Sequence, residues 1–587
     1  VVIKSFVLTL GAALFIFVVL TVARPAYTGT RAGLRDENYV NSKTCRDCHA
    51  DHYATWAQTY HRRMTQEARP ASVQGDFEKN NVYEYLGVKA RMAKRGDAFQ
   101  MTFDYPDGRT ETYTIDRTVG SHRIEQYLTK QQGQYVRLPI AYDLVNRRWM
   151  SLNGSFFYPD NDNFKQHQTQ WDSNCVFCHN VKAQPHINFQ TKQFDTEVAE
   201  LGIACGACHG AGAAHVDAAT SPFTRTFWQL AKSDNKEIVD PLKLTAERSM
   251  MVCGHCHGQR VPEPFDRIGD ILTKGDPYNA GDDLAKFYKP VWRETKVGNF
   301  SFANRFWANG SPRLTAFEYQ GLLRSNCYIK GDHNNRISCT TCHTMHGGDP
   351  KGQITEEKRT NNACLSCHQK FESREALALH TKHDANSAGS SCYACHMPRV
   401  VYGIMSIHRT HDITVPDPQL TATMAVPNAC NQCHLDKSVN WSIAQTKQLW
   451  PQRFANAEPS REVQFNIAEG ARALFAGDAL TRALTAEAMS GGDGTFKPDA
   501  KWATPFLVEA FADNYPVVRF FAAQGLAVAH SSNNRLSKPD YLATPEARQQ
   551  SLNDWRALFD TAIRTQAFSL AETLRKHRVD VDIEVGE

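Results

Sequence analysis

Cys339-Thr340-Thr341-Cys342-His343, followed shortly by Cys364-Leu365-Ser366-Cys367-His368, is the stretch on which the reading of this chain turns. The same C-x-x-C-H spacing recurs at Cys45–Cys48–His49, Cys175–Cys178–His179, Cys205–Cys208–His209, Cys253–Cys256–His257, Cys392–Cys395–His396 and Cys430–Cys433–His434. These eight motifs take up 16 of the 17 cysteines and leave Cys327 over. Two thiols three positions apart can form thioethers with the two vinyl groups of one porphyrin, and the next residue sets an imidazole beneath the iron. Zinc knuckles and redox thiol pairs share the C-x-x-C spacing, but neither requires the histidine. Histidine is 23 of 587 residues, so eight such coincidences have odds on the order of 10⁻¹¹. Eight covalently bound haem c groups are therefore expected, with His49, His179, His209, His257, His343, His368, His396 and His434 as proximal ligands.

The sixth iron ligand separates a wire from an enzyme. A haem with histidine on both faces is saturated and passes electrons, whereas an open face can bind substrate. Thirteen further histidines lie in the motif-bearing region: His52, His61, His122, His167, His186, His215, His255, His333, His346, His380, His383, His408 and His411. His346 and His215 follow their motifs on short arms, and such arms commonly reach a neighbouring haem. His61, His122 and His411 are further candidates, as is one of His380 and His383, between which spacing does not choose. His255 sits inside its own motif and suits a solvated or stacking role. His530 and His577 lie beyond the region and read as ordinary helix residues. Cys327 reads as a buried free thiol, with a thiolate near a haem as the sharper alternative.

A chain of 587 residues is too long for one core, so two or three units are expected. Basic and acidic residues balance, 66 against 62, which supplies no basic stripe for nucleic acid. Two propionates on each of eight haems would add about −16, making the loaded protein acidic and suiting a basic redox partner. The uncharged run Phe6–Ala23 after Lys4 is long enough, at the lower limit, to span a bilayer. It reads as a membrane anchor, with a cleaved signal peptide as the alternative, and either places the rest on the exported, periplasmic side.

The expected fold class is mainly α: a loop-rich multihaem core with a small β-containing insert and a C-terminal α-solenoid-like domain. The expected divisions are 1–30 for the anchor or signal segment, 31–454 for the cytochrome domain and 455–587 for the helical repeats. Within the cytochrome domain, 80–160 is read as the insert. Phe99–Asp104 and Thr110–Ile115 alternate apolar and polar residues around Tyr105-Pro106-Asp107-Gly108-Arg109, which predicts a β-hairpin. After about 455 the cysteines stop. Glu462–Leu474, Ala479–Ala488, Ala503–Ala512 and Pro516–His530 then show helical spacing, and Pro545–His577 reads as one further helix. Three or four helix pairs of the HEAT type are expected.

Val426-Pro427-Asn428-Ala429-Cys430-Asn431-Gln432-Cys433-His434 with Trp441, Cys395-His396-Met397-Pro398, and Arg324-Ser325-Asn326-Cys327-Tyr328 before Cys339 resemble exported multihaem cytochromes. Those proteins often end in HEAT or tetratricopeptide-type helical repeats. Residues 40–450 also look like a distant relative of the superfamily of hydroxylamine oxidoreductase and its tetrahaem electron acceptor. The expected function is electron relay between membrane or periplasmic redox proteins, in a larger complex or homo-oligomer, and the resemblance by itself singles out no particular reaction. The alternative is an oxidoreductase acting on a small nitrogen or sulfur species at one five-coordinate haem. A third class is a structural subunit or conductive filament. Octahaem nitrite reductases replace one proximal histidine with lysine, and here all eight motifs keep histidine.

Overall fold

The structure, a computed structural model, describes residues 38–231, 237–314, 316–332, 336–492, 499–529 and 539–581. The apolar run Phe6–Ala23 and the candidates His333 and His530 lie outside the described residues. Among the described residues no helix is long and apolar enough to cross a membrane.

The β-hairpin forms where alternation places it. Strand Ala98–Asp104 pairs antiparallel with Thr110–Ile115, in the register Phe99↔Ile115 to Asp104↔Thr110. Gly108 turns the chain with φ 85, a value that costs glycine little. Val82–Tyr85 and Val88–Arg95 complete a four-stranded sheet. Its inward residues Met92, Phe99, Met101 and Phe103 pack with Phe77, Tyr127 and Trp149. A second sheet runs Thr65–Glu67, Arg117–Val119, Ile124–Gln131, Ile140–Asp143, Arg148–Ser151, with Gln134–Arg137 also on Ile124–Gln131. The β region thus begins at Thr65, before the expected boundary at 80. A three-residue strand carries no alternation to read, and its partner at 117–119 is remote in sequence.

The motif-bearing region is built of short helices, among them Cys205–His209, Ala246–Gly254 and Cys392–His396, of loops, and of two-stranded ribbons such as Arg399–Tyr402 with Ser406–Arg409. Among the described residues the C-terminal region holds six helices: Glu469–Ala476, Ala479–Met489, Ala500–Ala510, Pro516–Ala529, Pro545–Arg556 and Thr561–Arg575. Several helix ends shift by one to three residues, Ala503–Ala512 becoming Ala500–Ala510, and two differences from the sequence reading are larger. Val463–Asn466 is a separate 3-10 turn before the first helix. The expected single helix over 545–577 is broken, because the Asp560 side chain accepts from the Ile563 N–H and starts a new one.

Among the described residues the core of the helical region is shared with the rest of the chain. Leu474, Phe475, Leu480, Leu507, Val518 and Phe521 share one buried cluster with Phe156, Phe306, Phe317, Val401 and Met405. Arg519, buried, meets Asp160 at 2.9 Å across the same seam. Burial of this apolar surface against the cytochrome region fuses the two.

Candidate haem-binding site

Each motif folds as one helical turn. His49, His179, His257, His343, His368 and His434 donate their backbone N–H to the carbonyl of the first cysteine, at 2.8–3.1 Å. The two remaining motifs lie within helices. An α-turn sets positions i, i+3 and i+4 on one face, so both thiols and the imidazole face the same space.

Backbone carbonyls orient three of the rings. Nδ1 of His209 faces Val239 O at 2.7 Å, that of His343 faces Gly352 O at 2.9 Å, and that of His396 faces Thr414 O at 2.7 Å. With Nδ1–H donated to a carbonyl, Nε2 keeps its lone pair for a metal.

Two imidazoles on opposite faces of one metal, with metal–nitrogen bonds of about 2.0–2.1 Å, have ring centres about 6.3 Å apart. Among the described residues, six pairs that join a motif histidine to one from a separate stretch of the chain meet that spacing: His49–His215 at 6.3 Å, His61–His257 at 6.0 Å, His209–His346 at 6.3 Å, His343–His411 at 6.2 Å, His380–His396 at 6.2 Å and His383–His434 at 6.2 Å. The residues therefore fit haem c. Both His380 and His383 stand opposite a motif histidine, each a different one, where one had been expected. Trp450 Nε1 donates to the His380 carbonyl at 2.9 Å and helps place that ring. Burial pushes His61 down to about 4, which favours the neutral imidazole.

The other histidines are placed differently. His52 lies 6.1 Å from His49 on the same short helix, but it stacks on His346 at 4.4 Å, too close for a metal between them. His122, a candidate sixth ligand, sits instead against Tyr60 at 4.7 Å, His408 at 6.0 Å and Tyr402 at 6.3 Å. His255 stacks on Tyr278 at 4.7 Å and bonds Asp276 at 2.6 Å. His167 packs between Phe156 and Tyr158, and His186 Nδ1 faces Thr273 O.

Thiols of different motifs meet. Cys45 contacts Cys205, Cys178 contacts Cys256, Cys253 contacts Cys339, and Cys364 contacts Cys392. Weaker electrostatic neighbours are Cys208 with Cys253, Cys342 with Cys364, and Cys395 with Cys430 and Cys433. In space the motifs therefore run first, third, fourth, fifth, sixth, seventh, eighth, and the second branches from the fourth. Cys327 is half-buried beside Cys342, Cys364 and Cys367. Glu318, 3.8 Å from His257 Nδ1, and the Tyr60 and Tyr402 rings were not singled out from sequence, because nothing local marks them.

The profile of the doubled CXXCH motif matches residues 333–373, and that of cytochrome c554 and c-prime matches residues 44–90. No curated protein matches. Among solved structures, the outer cell wall cytochrome OcwA aligns over 84% of this chain and 100% of its own, at 17% identity and a TM-score of 0.46. The C-x-x-C-H turns and both family matches make this chain a multihaem c-type cytochrome with covalently bound haem c.

Proposed function

We propose that this protein relays electrons through eight covalently bound haems on the exported side of a membrane, to which its N-terminal segment anchors it. The observation that carries the reading is the set of six imidazole pairs at metal-bridging distance. Bound haem c would supply the one-electron Fe(III)/Fe(II) couple. His49 with His215, His257 with His61, His209 with His346, His343 with His411, His396 with His380 and His434 with His383 would hold the six irons. Rings fixed by backbone carbonyls keep their positions in both oxidation states, which keeps the reorganisation cost of transfer low. The thiol contacts support a continuous route from the first motif to the eighth, and the C-terminal helices read as a repeat-type cap on the haem stack.

Donor and acceptor would be membrane or periplasmic redox proteins with basic docking surfaces, in a larger complex or homo-oligomer. Low-temperature electron paramagnetic resonance of the oxidised protein, with spins counted, tests the reading. At least six low-spin bis-histidine haems are expected, and mainly high-spin iron would overturn it.

The cluster of Tyr60, His122, Tyr402 and His408 favours a second reading, an oxidoreductase acting on a small nitrogen or sulfur species at one five-coordinate haem. Its imidazoles and phenols could hold such a species and pass it protons. That reading expects one high-spin haem that binds cyanide or nitric oxide without losing a ligand, and a wholly low-spin spectrum would eliminate it.

A further inference from the structure

We infer that the helix Pro222–Ala231 is a membrane-surface helix that lays its apolar stripe on a lipid bilayer, beside the point where the N-terminal segment enters the fold. The inference rests on the anchor reading of Phe6–Ala23. Phe227 is 63% exposed, Leu230 81% and Phe223 46%. At about 100° per residue these three fall within about 60° of one another around the helix, a continuous apolar stripe. Trp228 projects from the other side and its ring is parallel to that of His215, 6.1 Å away at an angle of 1°. The stripe therefore faces away from the haem-binding interior.

The occupant follows from the chain's own course. The described chain starts at Asn38, whose carbonyl accepts from the Ala213 N–H at 3.0 Å. Ala213 opens the helix Ala213–Thr220, which leads directly into Pro222–Ala231. Only residues 24–37 separate Asn38 from the apolar run, a connection of at most about 50 Å. No carboxylate occurs between Asp217 and Asp234, whereas Arg225 and Lys232 do. An apolar stripe with basic flanks and no acids suits an anionic lipid interface. With that helix on the bilayer, the haem held by His49 and His215 lies on the membrane side, where electrons would enter.

The test is hydrogen exchange of the full haem-loaded chain with and without phosphatidylethanolamine–phosphatidylglycerol vesicles, alongside the double variant Phe227→Ser, Leu230→Ser. Haem content of the variant, by absorbance, reports that it has folded. Exchange in 222–231 should slow by on the order of tenfold with vesicles, and the variant should lose that protection. Protection of 6–23 reads the anchor separately. If 6–23 is protected and 222–231 is not, the surface-helix inference is overturned while the anchor stands. If 222–231 alone is protected, the helix stands and the anchor fails. If neither changes, both fail.

Discussion

The imidazole rings of His380 and His396 stand 6.2 Å apart at an interplanar angle of 6°, the spacing of two ligands on one iron. His383, three residues on from His380, stands at 6.2 Å from His434 instead. Two histidines of one short segment thus face two different motifs.

The two substitutions should therefore affect different haems. His380→Ala should convert about one haem from low to high spin, and His383→Ala about one other, so that the double variant shows about two. Spin-counted paramagnetic resonance at constant haem content checks this. A single shared high-spin haem in all three variants would contradict the pairing.

Replacing a motif histidine tests the opposite side of the same pairs. His396→Met keeps a ligand but exchanges imidazole for thioether, which raises the potential of that haem. A spectroelectrochemical titration should show one component moving upward, with the others unchanged. A shift of every component would mean that the substitution disturbs the fold.

The C-terminal helices are held to one another by buried charge. Arg482 is fully buried and bonds Asp513 at 2.8 Å, with Asp580 and the Gly477 carbonyl as further partners. Arg482→Met leaves Asp513 buried with one guanidinium fewer, Arg578 at 3.1 Å remaining. Removing one partner of a buried pair costs about 3–5 kcal/mol. Thermal unfolding followed by circular dichroism should start several degrees lower, with the visible spectrum intact before the transition.

A pH effect is built into the β region. Burial pushes Glu125 up to about 7, against hydrogen bonds from the Tyr127 hydroxyl and the Gln74 and Gly75 N–H groups. Because the folded state binds this proton more tightly than the unfolded chain does, the contribution is full below the unfolded carboxylate value and is lost as pH rises to about 7. Its upper bound is about 3 kcal/mol. Melting of the wild type should fall between pH 5 and pH 8, and Glu125→Gln should flatten that slope.

What the sequence determined by itself is the part governed by near neighbours along the chain. A C-x-x-C-H turn needs only five consecutive residues, so all eight motifs could be read directly. The hairpin at Phe99–Ile115 was legible for the same reason, since alternation and its turn lie within one stretch. Tertiary structure alone decided what depends on remote segments meeting. It set His61 opposite His257, divided His380 and His383 between two motifs, gathered His122 with Tyr402 and His408, and ordered the motifs in space. Facing histidines are chosen by where the chain returns after tens or hundreds of residues, and packing against the Thr65–Ser151 strands and the C-terminal helices sets those returns.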